Sequence, residues 1–183
     1  MPASQVAQWK EALQRRDEPE LWAKVERYLD ASHGACYLRD ERAARVVENA
    51  LLHFDGERYR LLAWTVMPNH VHALIETVDG HRLDAIFHSW KSYTANQINR
   101  LFARRGALWQ PECFDRFIRS EQHLMFAINY IENNPVQAGL VTRAEEWPFG
   151  SAFYRAQGAC MERGLPARKQ AATPPGGQDG RAP

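Results

Sequence analysis

Two histidines flank a single valine at His70-Val71-His72, inside an apolar run that continues through Leu74 and Ile75. The run is typical of a β-strand, and Asp79-Gly80 closes it with a turn signal. Because the side chains of a strand alternate between faces, His70 and His72 are predicted to project from the same side. Two neutral imidazoles on one face can bind one divalent cation, so this strand is a candidate metal site.

A second group of chemically useful residues lies on a predicted helix over residues 121–134, with Ser120 as its N-cap. Tyr130 and Asn134 are four residues apart, so they share one face of this helix. That face presents a phenolic nucleophile beside an amide oxygen, which is a hard ligand suited to Mg²⁺ or Mn²⁺. Because a proline disfavours helical angles in the residue before it, Pro135 is predicted to end the helix, and Asn134 can equally cap the following turn.

These two motifs carry a resemblance to a known family. Met67-Pro68-Asn69-His70-Val71-His72, followed later by Tyr130-Ile131-Glu132-Asn133-Asn134-Pro135-Val136, is a specific combination, whereas a lone His-x-His is weak evidence. The chain resembles the HUH single-tyrosine transposases, and most nearly the REP-associated tyrosine transposases, from about Trp22 to about Ser151.

The resemblance implies a function and a set of roles. His70 and His72 match the metal ligands of the family, Asn134 matches its third protein ligand, and Tyr130 matches the nucleophile, for which Tyr93 is the main rival. Such enzymes cut single-stranded DNA near hairpins through a 5′-phosphotyrosine intermediate, with Mg²⁺ or Mn²⁺ as cofactor. They act as transposase-like endonucleases and strand transferases, and either a monomer or a homodimer is compatible with the sequence.

The implied fold is α+β, a ferredoxin-like antiparallel sheet with helices on one face. The family fold opens with a strand, and no run before Gln8 can supply it, so the first strand is expected to be lost or to be encoded upstream. An unpaired sheet edge would then remain. The absent strand favours an alternative, in which the chain is a catalytically silent DNA-hairpin-binding or regulatory protein. The intact catalytic motif favours an enzyme.

Charge is unevenly distributed, although the formal net charge is only +1. Residues 82–119 hold seven Lys or Arg against three acidic residues, interleaved with aromatic residues. That mixture suits a nucleic-acid surface, although composition alone favours a solvated amphipathic helix beside core aromatics. The predicted DNA contacts are Lys91, Arg104, Arg105, Arg116 and Arg119.

Length and composition predict one catalytic domain over residues 1–164 and a disordered Pro/Gly-rich tail over residues 165–183. Three widely spaced cysteines suggest neither a disulfide framework nor a zinc site. There is no leader-like segment and no long apolar run, so we expect no membrane association and a cytoplasmic protein, nucleoid-associated when bound to DNA.

Further elements follow from local patterns. Two helices are expected within residues 6–29, and a third from an N-cap at Asp40 to about Phe54. A strand over residues 58–66 should pair with the histidine strand, since sequential strands usually do. A long helix is expected from Leu83 to about Arg104, ended by Gly106.

Overall fold

The fold is seen in a computed structural model that describes residues 35–111, 113 and 115–158. Its elements are a 3₁₀ turn at Tyr37–Arg39, helix α1 (Glu41–His53), strands β1 (Tyr59–Val66) and β2 (Val71–Thr77), helices α2 (Leu83–Leu101) and α3 (Glu121–Gln137), a second 3₁₀ turn at Ala144–Glu146 and helix α4 (Ser151–Ala156). The predicted α+β class is confirmed. The predictions for the helices within residues 6–29, the first strand and the tail concern parts of the chain outside the described residues.

Helix α1 begins where the sequence predicts it. The Asp40 side chain accepts a hydrogen bond from the Arg42 backbone N–H at 2.9 Å, which satisfies one of the unpaired donors of the first turn. Val47 and Leu51, on the predicted apolar face, are buried against the sheet. Helix α1 therefore forms one wall of the core.

The two strands form an antiparallel hairpin, as predicted. Val66 pairs with Val71 beside the turn, and the Met67 N–H donates to the His70 carbonyl at 2.9 Å to close it. The register shifts between Leu61 and Ala63, which marks a β-bulge. This hairpin sets the position of the histidine pair.

The outer edge of β1, on the side away from β2, is covered by the segment that leads into α4. The Val66 N–H donates to the Phe149 carbonyl at 2.8 Å, and the Trp147 indole N–H donates to the Val66 carbonyl at 3.1 Å. Thr65 also forms an isolated bridge with Gly150. Backbone groups that would otherwise be unpaired at a sheet edge are therefore satisfied here.

The core lies between α1, the inner face of the hairpin and α2. Its buried apolar members include Trp64, Val66, Ile98 and Phe149. Apolar burial of this kind supplies the main driving force for folding. Among the described residues, no helix is both long enough and apolar enough to cross a membrane.

Two predicted helix ends are corrected by the structure. Helix α2 stops at Leu101 rather than near Arg104, because Ala103 takes a left-handed conformation with φ 49°. Helix α3 continues through Pro135 to Gln137, so the prediction that Pro135 ends it was wrong. Pro135 lacks only the backbone hydrogen bond that its N–H would donate to the Ile131 carbonyl, a small loss near the end of the helix. Asn134 therefore remains helical and buried.

Candidate functional site

The histidine pair lies at the turn end of β2. Val71 and Ala73 pack toward the core, so the side chains of His70 and His72 project together from the other face. Their Nε2 atoms are 3.0 Å apart, and the two rings are perpendicular with centroids 4.7 Å apart. The strand therefore brings two imidazole nitrogens to one point, although His70 itself precedes the first residue of β2.

Burial keeps both imidazoles neutral. It lowers the pKa of His70 to about 3, with a further contribution from His72, and it lowers the pKa of His72 to about 4. The Nδ1 atom of His70 lies 2.8 Å from the Asn69 side-chain oxygen, which can only accept, so Nδ1 carries the proton. The Nε2 atom of neutral His70 then presents a lone pair, as a metal ligand must.

Helix α3 places the predicted nucleophile against this pair. The Tyr130 and His72 rings meet edge to face with centroids 5.7 Å apart. The Asn134 side-chain amide donates to the Tyr130 hydroxyl at 2.9 Å. The four-residue spacing therefore brings Tyr130 and Asn134 together on the face of α3 that meets β2.

One polar atom of this cluster is unsatisfied. Asn134 is fully buried, and its Oδ1 has no hydrogen-bond partner among the residues that the structure describes. A buried acceptor without a partner costs about 1–3 kcal/mol, so such atoms are rare in folded proteins. A bound cation would satisfy it, which makes the Asn134 oxygen a fitting third ligand beside the two histidines.

The donor set of two imidazole nitrogens and one amide oxygen suits a divalent cation of intermediate hardness, with open positions left for substrate oxygens. Within the described residues, no three His, Cys, Asp or Glu side chains are grouped to hold a metal ion. The third candidate ligand here is an amide, so the site depends on Asn134 for its completion.

The predicted DNA contacts divide into two kinds. The Lys91 ammonium donates to the carbonyls of Gln110 and Pro111 at 2.7 and 3.2 Å. The Arg104 guanidinium donates to the Asn99 side chain at 2.8 Å and lies over the Tyr37 ring at 4.4 Å. Lys91 and Arg104 thus bond to neighbouring parts of the protein around the loop after α2.

The other predicted contacts are more open to solvent. Arg105, Arg116 and Arg119 are exposed, the latter two on the segment that leads into α3. Tyr93, the rival nucleophile, is 52% exposed on α2. Which of the basic residues contact DNA stays a prediction.

Sequence reasoning missed two residues that shape this site. Asn69 orients His70, and its only sequence signal is its position directly before the histidine. Glu132 is bonded to Ser151 and Arg155 across the helix interface. A charged residue two positions after the tyrosine gives no sign of such burial, because its partners lie 19 or more residues further along the chain.

The family of this chain follows from a sequence match that contains the histidine pair and Tyr130. The sequence model of the family described as Transposase IS200 like matches residues 37–134, which is more than half of the 183-residue chain. The chain belongs to the IS200-like transposase family. The match begins at the 3₁₀ turn before α1 and ends at Asn134, so it contains the histidine pair and Tyr130.

Individual relatives agree with this assignment to IS200-like transposases. The chain is 28% identical over 115 residues to the REP-associated tyrosine transposase of Escherichia coli (strain K12), covering 61% of this chain and 65% of that protein. It is 27% identical over 107 residues to the putative REP-associated tyrosine transposase of Haemophilus influenzae, covering 53% of this chain and 60% of that protein. The matched part is therefore less than two thirds of each of these two curated relatives.

A solved structure shows that the fold is shared. The structure of a REP-associated tyrosine transposase bound to a REP hairpin superposes with a TM-score of 0.53 at 21% identity. The alignment covers 82% of this chain and 84% of that chain. The predicted resemblance to REP-associated tyrosine transposases is confirmed.

Proposed function

We propose that this IS200-like transposase cuts single-stranded DNA beside a hairpin, using Tyr130 as the nucleophile and a divalent metal held by His70, His72 and Asn134. The observation that carries the proposal is the convergence of the two Nε2 atoms, 3.0 Å apart, beside Tyr130 and the unsatisfied Asn134 oxygen. Membership of a transposase family and a shared fold with a hairpin-bound relative support DNA as the substrate.

The reaction follows from the groups present. The phenolic oxygen of Tyr130 attacks the scissile phosphorus, the bond from phosphorus to the 3′-oxygen breaks, and the departing strand takes a proton to become a 3′-hydroxyl. The product is a 5′-phosphotyrosine link, which the reverse reaction can religate because its energy is conserved in the new ester. Mg²⁺ or Mn²⁺, when bound, would neutralise charge on the phosphate oxygens.

The residues around Tyr130 assist this step in two ways. The Asn134 amide donates to the phenolic oxygen, and a donor at that atom stabilises negative charge as the proton leaves. The His72 ring packs edge-on against the tyrosine and limits the directions in which the phenol can point. Both contacts hold the nucleophile near the phosphate position, which is how orientation lowers a reaction barrier.

DNA binding would draw on exposed basic residues near α3. Arg116 and Arg119 lie on the segment before α3, and Arg105 lies in the loop after α2. Their charges suit phosphate contacts, whose number sets the salt dependence of binding. Lys91 and Arg104 bond within the protein, so we propose a smaller part for them in binding.

The test uses end-labelled single-stranded DNA that carries hairpins from the genomic neighbourhood of the gene, incubated with protein and Mg²⁺ or Mn²⁺. A covalent adduct should appear on a denaturing gel, disappear in Tyr130→Phe and His72→Ala, and persist in Tyr93→Phe. Tyr93→Phe is the matched control, since Tyr93 lies on α2 and is 52% exposed. Tight hairpin binding without any adduct would overturn the proposed enzymatic activity and favour a catalytically silent hairpin-binding protein.

A further inference from the structure

A carboxylate is held on the side of α3 that faces away from the histidine pair. Glu132 follows Tyr130 by two residues, which places it about 200° around the helix. Its side chain is 14% exposed, and its Oε1 atom accepts a hydrogen bond from the Ser151 hydroxyl at 2.6 Å and forms an ion pair with the Arg155 guanidinium at 2.5 Å. While Tyr130 meets His72, Glu132 therefore joins α3 to α4.

The two partners of Glu132 are themselves bonded to β1. The Ser151 hydroxyl oxygen accepts from the Trp64 backbone N–H at 3.2 Å, and Arg155 donates to the Leu62 carbonyl at 2.6 Å. Residues 62 and 64 present these groups on the same outer edge of the strand, because alternate residues of a strand point their backbone groups the same way. Glu132 thus closes a network of three hydrogen bonds and one ion pair between α3, α4 and β1.

This network is anchored on β1 directly beside the residue that pairs with His72. Trp64 pairs with Ala73 across the hairpin, and the next residue of β1, Thr65, pairs with His72. The helix that carries the tyrosine is therefore tied, through α4, to the strand that lies beside the metal-ligand candidate. A rotation of α3 about its axis would break the bonds of Glu132 and move Tyr130 away from His72 at the same time.

We propose that Glu132 is a positioning residue, which fixes the rotation of α3 so that the Tyr130 hydroxyl faces the His70 and His72 pair. The inference rests on the proposed role of Tyr130. The Arg155 side chain is 49% exposed, so its ion pair with Glu132 is screened by water and adds little net stability, whereas its directional contact restricts geometry. Loss of the Glu132 charge should therefore slow the reaction more than it weakens the fold or the binding of DNA.

The experiment compares wild type with Glu132→Gln and Ser151→Ala in the full chain. Glu145→Gln is the matched control, because Glu145 is an exposed carboxylate whose ion pair, at 3.5 Å, is with Arg143 rather than with α4. Four quantities are measured: the single-turnover rate of adduct formation, the hairpin Kd by fluorescence anisotropy, the melting temperature, and the His72 ring signals by NMR. The His72 signals report Tyr130 directly, since the two rings are in contact.

We expect Glu132→Gln to lower the adduct rate about 10- to 100-fold, as small misplacements of a reacting group do. Its hairpin Kd and melting temperature should stay near those of wild type, and its His72 signals should shift or broaden. Ser151→Ala, which removes one of the two donors, should show a smaller loss of rate with the same pattern. Glu145→Gln should match wild type in all four measurements.

Other results would overturn the inference. A wild-type rate in Glu132→Gln would do so, and so would a loss of rate with unchanged His72 signals. Equal losses in rate, hairpin affinity and melting temperature would show a purely structural role. If wild type itself forms no adduct, the proposed function fails, and the His72 signals alone decide whether Glu132 positions Tyr130.

Discussion

The unsatisfied oxygen of Asn134 leads to the prediction that one substitution abolishes activity without lowering the stability of the metal-free protein. Replacing Asn134 with leucine removes a buried acceptor that has no partner within the described part of the chain, and burying such an atom costs about 1–3 kcal/mol. It also removes the hydrogen bond to Tyr130, worth about 0.5–1.5 kcal/mol net. Leucine has a similar size, so the metal-free Asn134→Leu variant should be as stable as wild type or about 1 kcal/mol more stable.

The assay is thermal unfolding with EDTA and with excess Mn²⁺. In EDTA, a gain of about 1 kcal/mol would raise Tm by roughly 2–4 °C for a chain of this size. In Mn²⁺, wild type should be stabilised, by about 2.7 kcal/mol at one hundred times Kd, because the ion binds only the native state. Asn134→Leu should gain much less and should form no DNA adduct.

Asn133→Leu is the control for this experiment. Asn133 is adjacent, half-buried, and bonded through its amide to Asn129 within the same helix. It should keep the response to Mn²⁺ and the adduct. Destabilisation of metal-free Asn134→Leu by more than about 1.5 kcal/mol, the upper end of the net worth of the lost hydrogen bond, would refute the reasoning. An undiminished response of that variant to Mn²⁺ would refute it as well.

Three further predictions concern the rest of the molecule. Burial raises the pKa of Glu48 above its ordinary 4.5, so the native state binds the proton more tightly than the unfolded chain. The free energy of unfolding, measured with urea, should therefore fall as pH rises from 4.5 through the raised pKa. Glu48→Gln should reduce this pH dependence. Ile98→Ala, at a fully buried position, should lower the free energy of unfolding by about 2–5 kcal/mol in the same assay. Neutralising Arg105 or Arg119 should lower the slope of log Kd against log salt by about 0.7 per lost phosphate contact, whereas Lys91→Gln should change stability and leave that slope unchanged.

Much of the local structure could be predicted because it depends on neighbouring residues. Asp40 and Ser120 cap their helices as expected, each side chain accepting a backbone N–H two or three residues ahead. The alternation around Val71 correctly placed the histidines on the face away from the core. The spacing of Tyr130 and Asn134 was also sufficient, since four residues is one helical turn.

The parts that could not be predicted depend on distant contacts. Trp147 and Phe149 cover the edge of β1 from more than 80 residues away, and no local pattern signals this. Pro135 was expected to end its helix, but burial of Asn134 and packing of α3 on the hairpin outweigh one lost hydrogen bond. The contacts of Glu132 likewise depend on α4, whose residues Ser151 and Arg155 are distant in sequence.

The central claim is that Tyr130 attacks DNA, and mass spectrometry of the trapped adduct tests it most directly. After reaction with hairpin DNA and Mn²⁺, nuclease treatment would leave a nucleotide tag, and trypsin would release the peptide Ser120–Arg143, whose single tyrosine is Tyr130. The account predicts the tag on that residue, joined through a 5′-phosphate. A tag on Ser92–Arg100, which contains Tyr93, or untagged peptides from protein that binds the hairpin, would contradict it.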